Sequence, residues 1–466
     1  MDPARAACYE RDHRKDPVLA AHGAPHPIIA ERTGPLIGTA RVPGDALVCQ
    51  QALVLGAMTV GETRIIGAHE TPCILALVQA LKSLGAEITT QGSAVWSVHG
   101  VGVGGFGEPD QVINCGSSWA GMSMIIGALA TTPVTAVFTG NESLLGYPMS
   151  QITDALTQFG ARLHGRKHGQ LPLTVQGAVF PVPVQYEAAR LSSQLKMAIL
   201  MAALNAPGET AVIETEPAQD HSERMLARFG AGVSVDATPE RRVITLGGQR
   251  ELRPQTVKVP CDVSWAVFPV CAALITAGSD VLVPDVAVDS DHERVFRLLR
   301  EMGADLTYEN FRQDGDGRIA DLRARFSPNM TGLKVPPEVG ADLLTTYPIV
   351  AVVAAFAEGQ TRLPRLLEPR GKRCTEALCD GLRAAGIRID ESGDWLVVHG
   401  RGPGEVPGGG SVVGPADYRV ALSCLVMGLG AQQPVHVAEG ALTSTGFDRF
   451  TQMMAPLGAT IRQAPA

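Results

Sequence analysis

Aromatic residues are scarce in this chain of 466 residues, at 5% of the total with four Trp and six Tyr. That leaves little for a base-stacking surface and points instead to helix–sheet packing through small residues. Positive charge is also in deficit. The 39 Lys and Arg face 47 Asp and Glu, for a formal net charge of −8. A binder of nucleic-acid backbones carries the opposite balance, so no nucleic-acid partner is expected. Long apolar runs are missing too. The longest, Tyr347 to Ala357, falls well short of the ~20 residues that span a bilayer, so no membrane association is expected. No segment joins a basic start, an apolar run and a small-residue cleavage site, so the expected location is the cytoplasm. The nine cysteines include no Cys-x-x-Cys pair, which argues for reduced, buried thiols and against a disulfide framework or a metal site.

What the chain has in abundance is Ala and Gly, and they recur in order. Six segments end alike: LVQALKSLGAEI (Gly85), ITDALTQFGARL (Gly160), SERMLARFGAGV (Gly230), FRLLREMGADL (Gly303), ALCDGLRAAGIRI (Gly386) and FTQMMAPLGATI (Gly458). Each carries apolar residues at three-to-four spacing, then a Gly for a left-handed helix end, then a strand. A near-regular period of this length signals internal duplication.

A second helix alternates with the first and is apolar on nearly every side: QQALVLGAM, AGMSMIIGALA, SSQLKMAILMAAL, SWAVFPVCAALI, TTYPIVAVVAAFA and YRVALSCLVMGLG. A helix without a polar face belongs in the interior. Their starts carry Asp45, Ser117-Ser118, Ser192-Ser193, Asp262, Asp342 and Asp417, often beside Gly. Ser and Asp cap helices, and helix N-termini favour anions. Several such ends brought together would suit a small, polar, anionic ligand.

The residues that surround these starts resemble one known family. GPLIGTARVPGDALVCQQALVLGAMTVGETRI, INCGSSWAGM, NESLLGYPM, LSSQLKMAILMAAL, the run Asp220-His221-Ser222-Glu223-Arg224-Met225-Leu226, VPCDVSWAVF, EPRGKR and Asp417-Tyr418-Arg419 together resemble EPSP synthases (3-phosphoshikimate 1-carboxyvinyltransferases). The resemblance implies an α/β enolpyruvyl transferase-like fold of two domains, with six βαβαββ units arranged three plus three. It divides the chain into an N-terminal extension (1–33), one domain from 34–44 plus 260–466, and another from 45–259.

The resemblance breaks at charged positions. Where the family has Lys-Ser and then Arg after Pro-Gly-Asp, this chain has Ala46, Leu47 and Gln51. Tyr147, Thr345, Glu376, Tyr418, Thr445 and Gln219 likewise replace family Arg, Asp, Arg, His, Lys and Arg. Ser192, Ser193 and Gln194, which the resemblance assigns to substrate contact, survive with Lys372, Asp417 and Arg419. A trianionic cosubstrate needs several cations at close range. This pattern therefore leads to an expectation of altered chemistry: a dehydratase or lyase of natural-product biosynthesis that removes water from shikimate or a close carbocycle without phosphoenolpyruvate.

In that expectation Glu376 is the base, held by Arg373 three residues before it, with Asp417 in reserve. Lys372 and Arg419 supply cations, and Tyr418 or Lys372 an acid. Ser192, Ser193, Gln194, Arg373, Tyr147 and Thr345 line the substrate, with Trp119 and Tyr147 filling the space of lost cations. The alternatives are a non-catalytic relative that binds a ligand or partner, and a divergent carboxyvinyl transferase. No cofactor or metal is implied, and a monomer or weak homo-oligomer is expected.

Overall fold

The computed structural model describes residues 27–464, apart from 93, 190, 216–220, 239, 289–292, 315–316, 344, 367–368, 413–416 and 439–443. The apolar helices lie inside, as their lack of a polar face requires. In chain order they are α1 (Ala46–Ala57), α2 (Trp119–Ala130), α3 (Ser193–Ala203), α4 (Val263–Ile275), α5 (Tyr347–Phe356) and α6 (Tyr418–Gly430). Helices α1 and α3 flank α2, while α4, α5 and α6 pack on one another. Small residues set the spacing. A Cβ on Gly127 of α2 would sit 2.2 Å from the Ala198 carbonyl oxygen of α3. The glycines that end the amphipathic helices, from Gly85 to Gly458, all take φ between 78° and 104°.

Among the described residues, five four-stranded sheets and one of three strands stand around the buried helices. The sheet of Ile113–Asn114, Thr135–Thr139, Leu173–Gln176 and Arg162–His164 is representative: one parallel edge pair, then two antiparallel pairs. Two sheets borrow their parallel edge strand from a distant part of the chain. Thr256–Lys258 pairs with Gly61–Ile66, and Ile37–Thr39 pairs with Asp280–Ala287.

Two hydrophobic cores result. One draws on residues between Cys49 and Val259, the other on residues up to Ala40 together with those from Cys261 to Leu457. The chain passes between them twice, and the two passages touch. Asp45 N–H donates to the Pro260 carbonyl and Asp262 N–H to the Pro43 carbonyl, each at 2.8 Å. Gly44 sits so close to the Gly67 carbonyl that a Cβ would come within 2.4 Å of it.

The start of the folded body differs from the expected boundary at residue 34. Ile28–Ala30 is a fully buried strand between Val435–Val437 and Ile461–Gln463, because the apolar triplet completes the last sheet on both sides. Residues 1–26 of the expected extension lie outside the described residues. The eight described cysteines are free thiols, and all but Cys73 are buried. Burial pushes the Cys49, Cys115 and Cys424 thiols up to about 12, which makes them poor nucleophiles.

Candidate functional site

The touching passages place the starts of α1 and α4 side by side. Helix N-termini in both trios, α1–α3 and α4–α6, are largely satisfied from within. The Asp45 carboxylate accepts from Leu47 and Val48 N–H at 2.8 and 2.9 Å, and Ser192 Oγ accepts from Leu195 N–H. Asp262 caps α4 through Ser264 N–H, and Asp417 caps α6 through Arg419 N–H. Three of the six ends therefore carry a carboxylate already. A capping carboxylate offsets the positive potential of its own helix end.

In the first trio, Gln50 joins α1 to α2. Its Oε1 accepts from Ser118 Oγ at 2.5 Å and Gly121 N–H at 2.9 Å, while its Nε2 donates to the Ala46 carbonyl. A small pocket lies where α1, α2 and α3 converge. Leu47, Ala120, Met124 and Met197 form its apolar wall, and Gln51, Ser193, Gln194 and Ser222 its polar one. Among the described residues no charged side chain lines it. Trp119 and Tyr147 meet at 4.5 Å between ring centroids, with their planes tilted by 46°. Gln219 lies outside the described residues.

Behind this pocket charge is buried. Lys196 of α3, fully inaccessible, lies 3.0 Å from Glu223 Oε1 and 3.6 Å from Glu214 Oε2, and Arg242 approaches Glu223 to 3.6 Å. Burial pushes the Glu214 carboxyl above its ordinary value, against the pull of Lys196. The Lys196–Glu223 contact ties the start of helix His221–Arg228, and with it Ser222, to α3. Sequence reasoning missed this cluster, although a Lys in an all-apolar helix was its signal.

In the second trio the expected residues separate into two groups. Lys372 and Glu376 share a cavity of about 550 Å³ along the helix Pro369–Ala384, with Arg365, Asp380, Arg383 and Glu391. Glu391 holds Arg365 at 3.3 Å and Arg383 at 3.2 Å. Among the described residues no carboxylate lies within ion-pair distance of Lys372. Asp417, Tyr418 and Arg419 do not line that cavity. Arg419 is 3% exposed and clasps Asp417 through Nε at 2.9 Å and Nη2 at 2.5 Å. Burial opposes its charge, but Asp417 outweighs burial and holds the guanidinium above its ordinary value. Tyr418 stacks on Trp265 at 6.3 Å. Thr345 is exposed just before α5.

The expected pairing of Arg373 with Glu376 is not formed. Both side chains are exposed, and only Glu376 faces the cavity. At three-residue spacing two long side chains in water gain too little to hold one geometry.

Comparison with known proteins settles the family. The sequence pattern described as EPSP synthase (3-phosphoshikimate 1-carboxyvinyltransferase) matches residues 30–454. The chain belongs to the EPSP synthase family. A 3-phosphoshikimate 1-carboxyvinyltransferase of Roseobacter denitrificans is 51% identical over 447 residues, covering 96% of this chain and 99% of the relative. One of Jannaschia sp. is 49% identical over 450 residues, covering 96% and 100%. The EPSP synthase of Acinetobacter baumannii superposes with a TM-score of 0.86 at 31% identity, over 94% of this chain and all of that one. The enolpyruvyl transferase NikO of Streptomyces tendae shares the fold at a TM-score of 0.72 and 18% identity.

These relatives confirm the α/β enolpyruvyl transferase fold and overturn the expected chemistry. Proteins about half identical over nearly the whole chain are named as transferases, so the dehydratase or lyase reading, and with it the natural-product setting, is withdrawn. Expected losses of cations at individual positions did not warrant a change of reaction class. Among the described residues, no helix is long and apolar enough to cross a membrane.

Proposed function

We propose that this chain is a carboxyvinyl transferase acting on phosphoenolpyruvate and a phosphoshikimate-type acceptor. The observation that carries the reading is the 51% identity to a 3-phosphoshikimate 1-carboxyvinyltransferase over nearly all of both chains. In the net reaction an acceptor hydroxyl oxygen bonds to C2 of the enolpyruvyl group. The bond from that carbon to the phosphate oxygen breaks, and the hydroxyl proton leaves with inorganic phosphate.

Two features of the site support the reading. Ser193 and Gln194 begin α3 in the neutral pocket, where they suit the hydroxyls of a carbocycle. Lys372 stands in the larger cavity, where it suits a phosphate or carboxylate. We place the boundary between the two halves at the touching passages near Gly44 and Cys261, so that a ligand bridging the two sites would span it.

The finer part of the proposal is that turnover proceeds with a reduced set of cations. Ala46, Leu47, Gln51, Tyr147 and Glu376 stand where the family pattern has other, mostly cationic groups. Phosphoenolpyruvate should therefore bind weakly, with a raised KM.

The test is continuous measurement of inorganic phosphate with shikimate 3-phosphate and phosphoenolpyruvate, singly and together. Release that needs both, with the enolpyruvyl ether detected by mass spectrometry, is the expected result. Phosphate at the blank rate with saturating amounts of both would overturn the reading.

A further inference from the structure

Gln51 is 1% exposed, and neither its Nε2 nor its Oε1 has a hydrogen-bond partner among the described residues. A buried primary amide with both ends unpaired is costly and uncommon in a folded protein. Its neighbour Gln50 shows the contrast, with Oε1 joining α1 to α2 and Nε2 bonded to the Ala46 carbonyl within α1. Gln51 does no such structural work. Its side chain instead lines the pocket between the starts of α1, α2 and α3, together with Ser193 and Gln194.

The size of that pocket narrows what reaches Gln51. About 10 Å³ of room lies within it, enough for a group no larger than one water molecule. A neutral group of that size suits the space, and among the described residues no cation lines it to offset the charge of a phosphate or carboxylate. A hydroxyl fits on both counts. It can donate to Oε1 and accept from Nε2 at once, which leaves neither amide atom unpaired.

We propose that Gln51 is a specificity-determining residue that receives one ring hydroxyl of the acceptor, leaving the acceptor's anionic groups to other parts of the site. The inference rests on the transferase reading for the kind of acceptor involved, but not on turnover. It has a consequence for selectivity. A site built to hydrogen-bond a hydroxyl rejects the analogue that lacks it, because the buried amide is then left unpaired.

The experiment is isothermal titration of the full chain with shikimate 3-phosphate and with its deoxy analogues, each lacking one ring hydroxyl, alongside thermal unfolding of the ligand-free protein. On the wild type, removal of one particular hydroxyl should weaken binding about tenfold or more, while removal of another has a smaller effect. Gln51→Leu should raise the Tm of the ligand-free protein and weaken the parent ligand by a similar factor. It should not weaken the sensitive deoxy analogue further, because the two changes delete the same contact.

Gln51→Leu with an unchanged Kd would mean that the amide meets only a structural water, and would overturn the proposal. So would Gln51→Arg binding the phosphate ester more tightly than wild type, since that assigns the pocket to an anion. A wild type that binds none of these ligands overturns it as well. Binding that depends on Gln51 without phosphate release would sink the transferase reading and leave this one standing.

Discussion

The two halves of the molecule are built alike, three buried helices each with sheets around them, yet they handle charge in opposite ways. The first half faces its pocket with Gln, Ser, Leu and Met and keeps its charges inside, at Lys196, Glu214 and Glu223. The second half lines its cavity with Lys372, Arg365, Arg383, Glu376, Asp380 and Glu391, all reached by water. The common scaffold therefore dictates where helix ends meet and not what chemistry they present. A small neutral pocket in one half and a wide charged cavity in the other suit a ligand pair of unequal polarity.

The sharpest way to break this comparison is to remove one charge from each half. Lys196→Met leaves Glu223 and Glu214 buried without their cation and should cost about 3–5 kcal/mol of stability, as for other broken buried pairs. Urea denaturation followed by circular dichroism reads it. A loss below 1 kcal/mol would mean that water already reaches the cluster. Lys372→Met in the other half should leave the urea midpoint unchanged, because Lys372 is exposed. Its effect should fall on turnover instead, about 10²-fold or roughly 2.7 kcal/mol of transition-state stabilisation. Unchanged phosphate release in that variant would remove Lys372 from the site.

A smaller contrast lies in pH dependence. Glu214 is raised by burial, so its contribution to stability is fully present below the unfolded value near 4.3 and is lost as pH rises through its folded value. Asp321 in the second half is lowered, chiefly by its hydrogen bond from Arg312, against the opposing effect of burial. Its contribution is present above the unfolded value near 3.9 and is lost as pH falls through its folded one. Relative to wild type, Glu214→Gln should therefore gain stability as pH rises. Asp321→Asn should lose least in acid and most near neutrality. Urea midpoints across a pH series read both slopes, and parallel slopes would refute the assignment of opposite roles.

The same contrast explains what could be read in the sequence. Helix ends were legible because Gly85 to Gly458 must take positive φ and only glycine does so without cost. Buried helices were legible because they lack a polar face. The strand Ile28–Ala30 was not, because three residues carry no period and its partners lie some 400 positions away. The Arg419–Asp417 clasp was hidden too, since nothing in an Asp-x-Arg triplet shows that the Arg turns back onto its own cap. Nor could substituted positions reveal the reaction. Each records one side chain and not what the rest of the site supplies.

The smallest effect expected concerns Glu391. It is 40% exposed in its side chain and bridges Arg365 and Arg383 on the wall of the charged cavity. Exposed pairs of this kind contribute about 0–1 kcal/mol, so Glu391→Gln should move the urea midpoint very little. The substitution nevertheless changes the local charge, because two guanidinium groups lose the carboxylate that neutralises them beside Lys372. If this cavity receives the anionic cosubstrate, phosphoenolpyruvate should bind the variant roughly 2- to 5-fold more tightly at low ionic strength. Most of that gain should vanish at about 0.15 M salt, where the screening length is near 8 Å. Titration calorimetry at two salt concentrations makes the measurement. Equal affinity of wild type and variant at low salt would show that the cavity on helix Pro369–Ala384 is not where phosphoenolpyruvate binds. The division between a neutral acceptor pocket and a charged cosubstrate cavity would then fail on its charged side, with the neutral side still to be judged by Gln51.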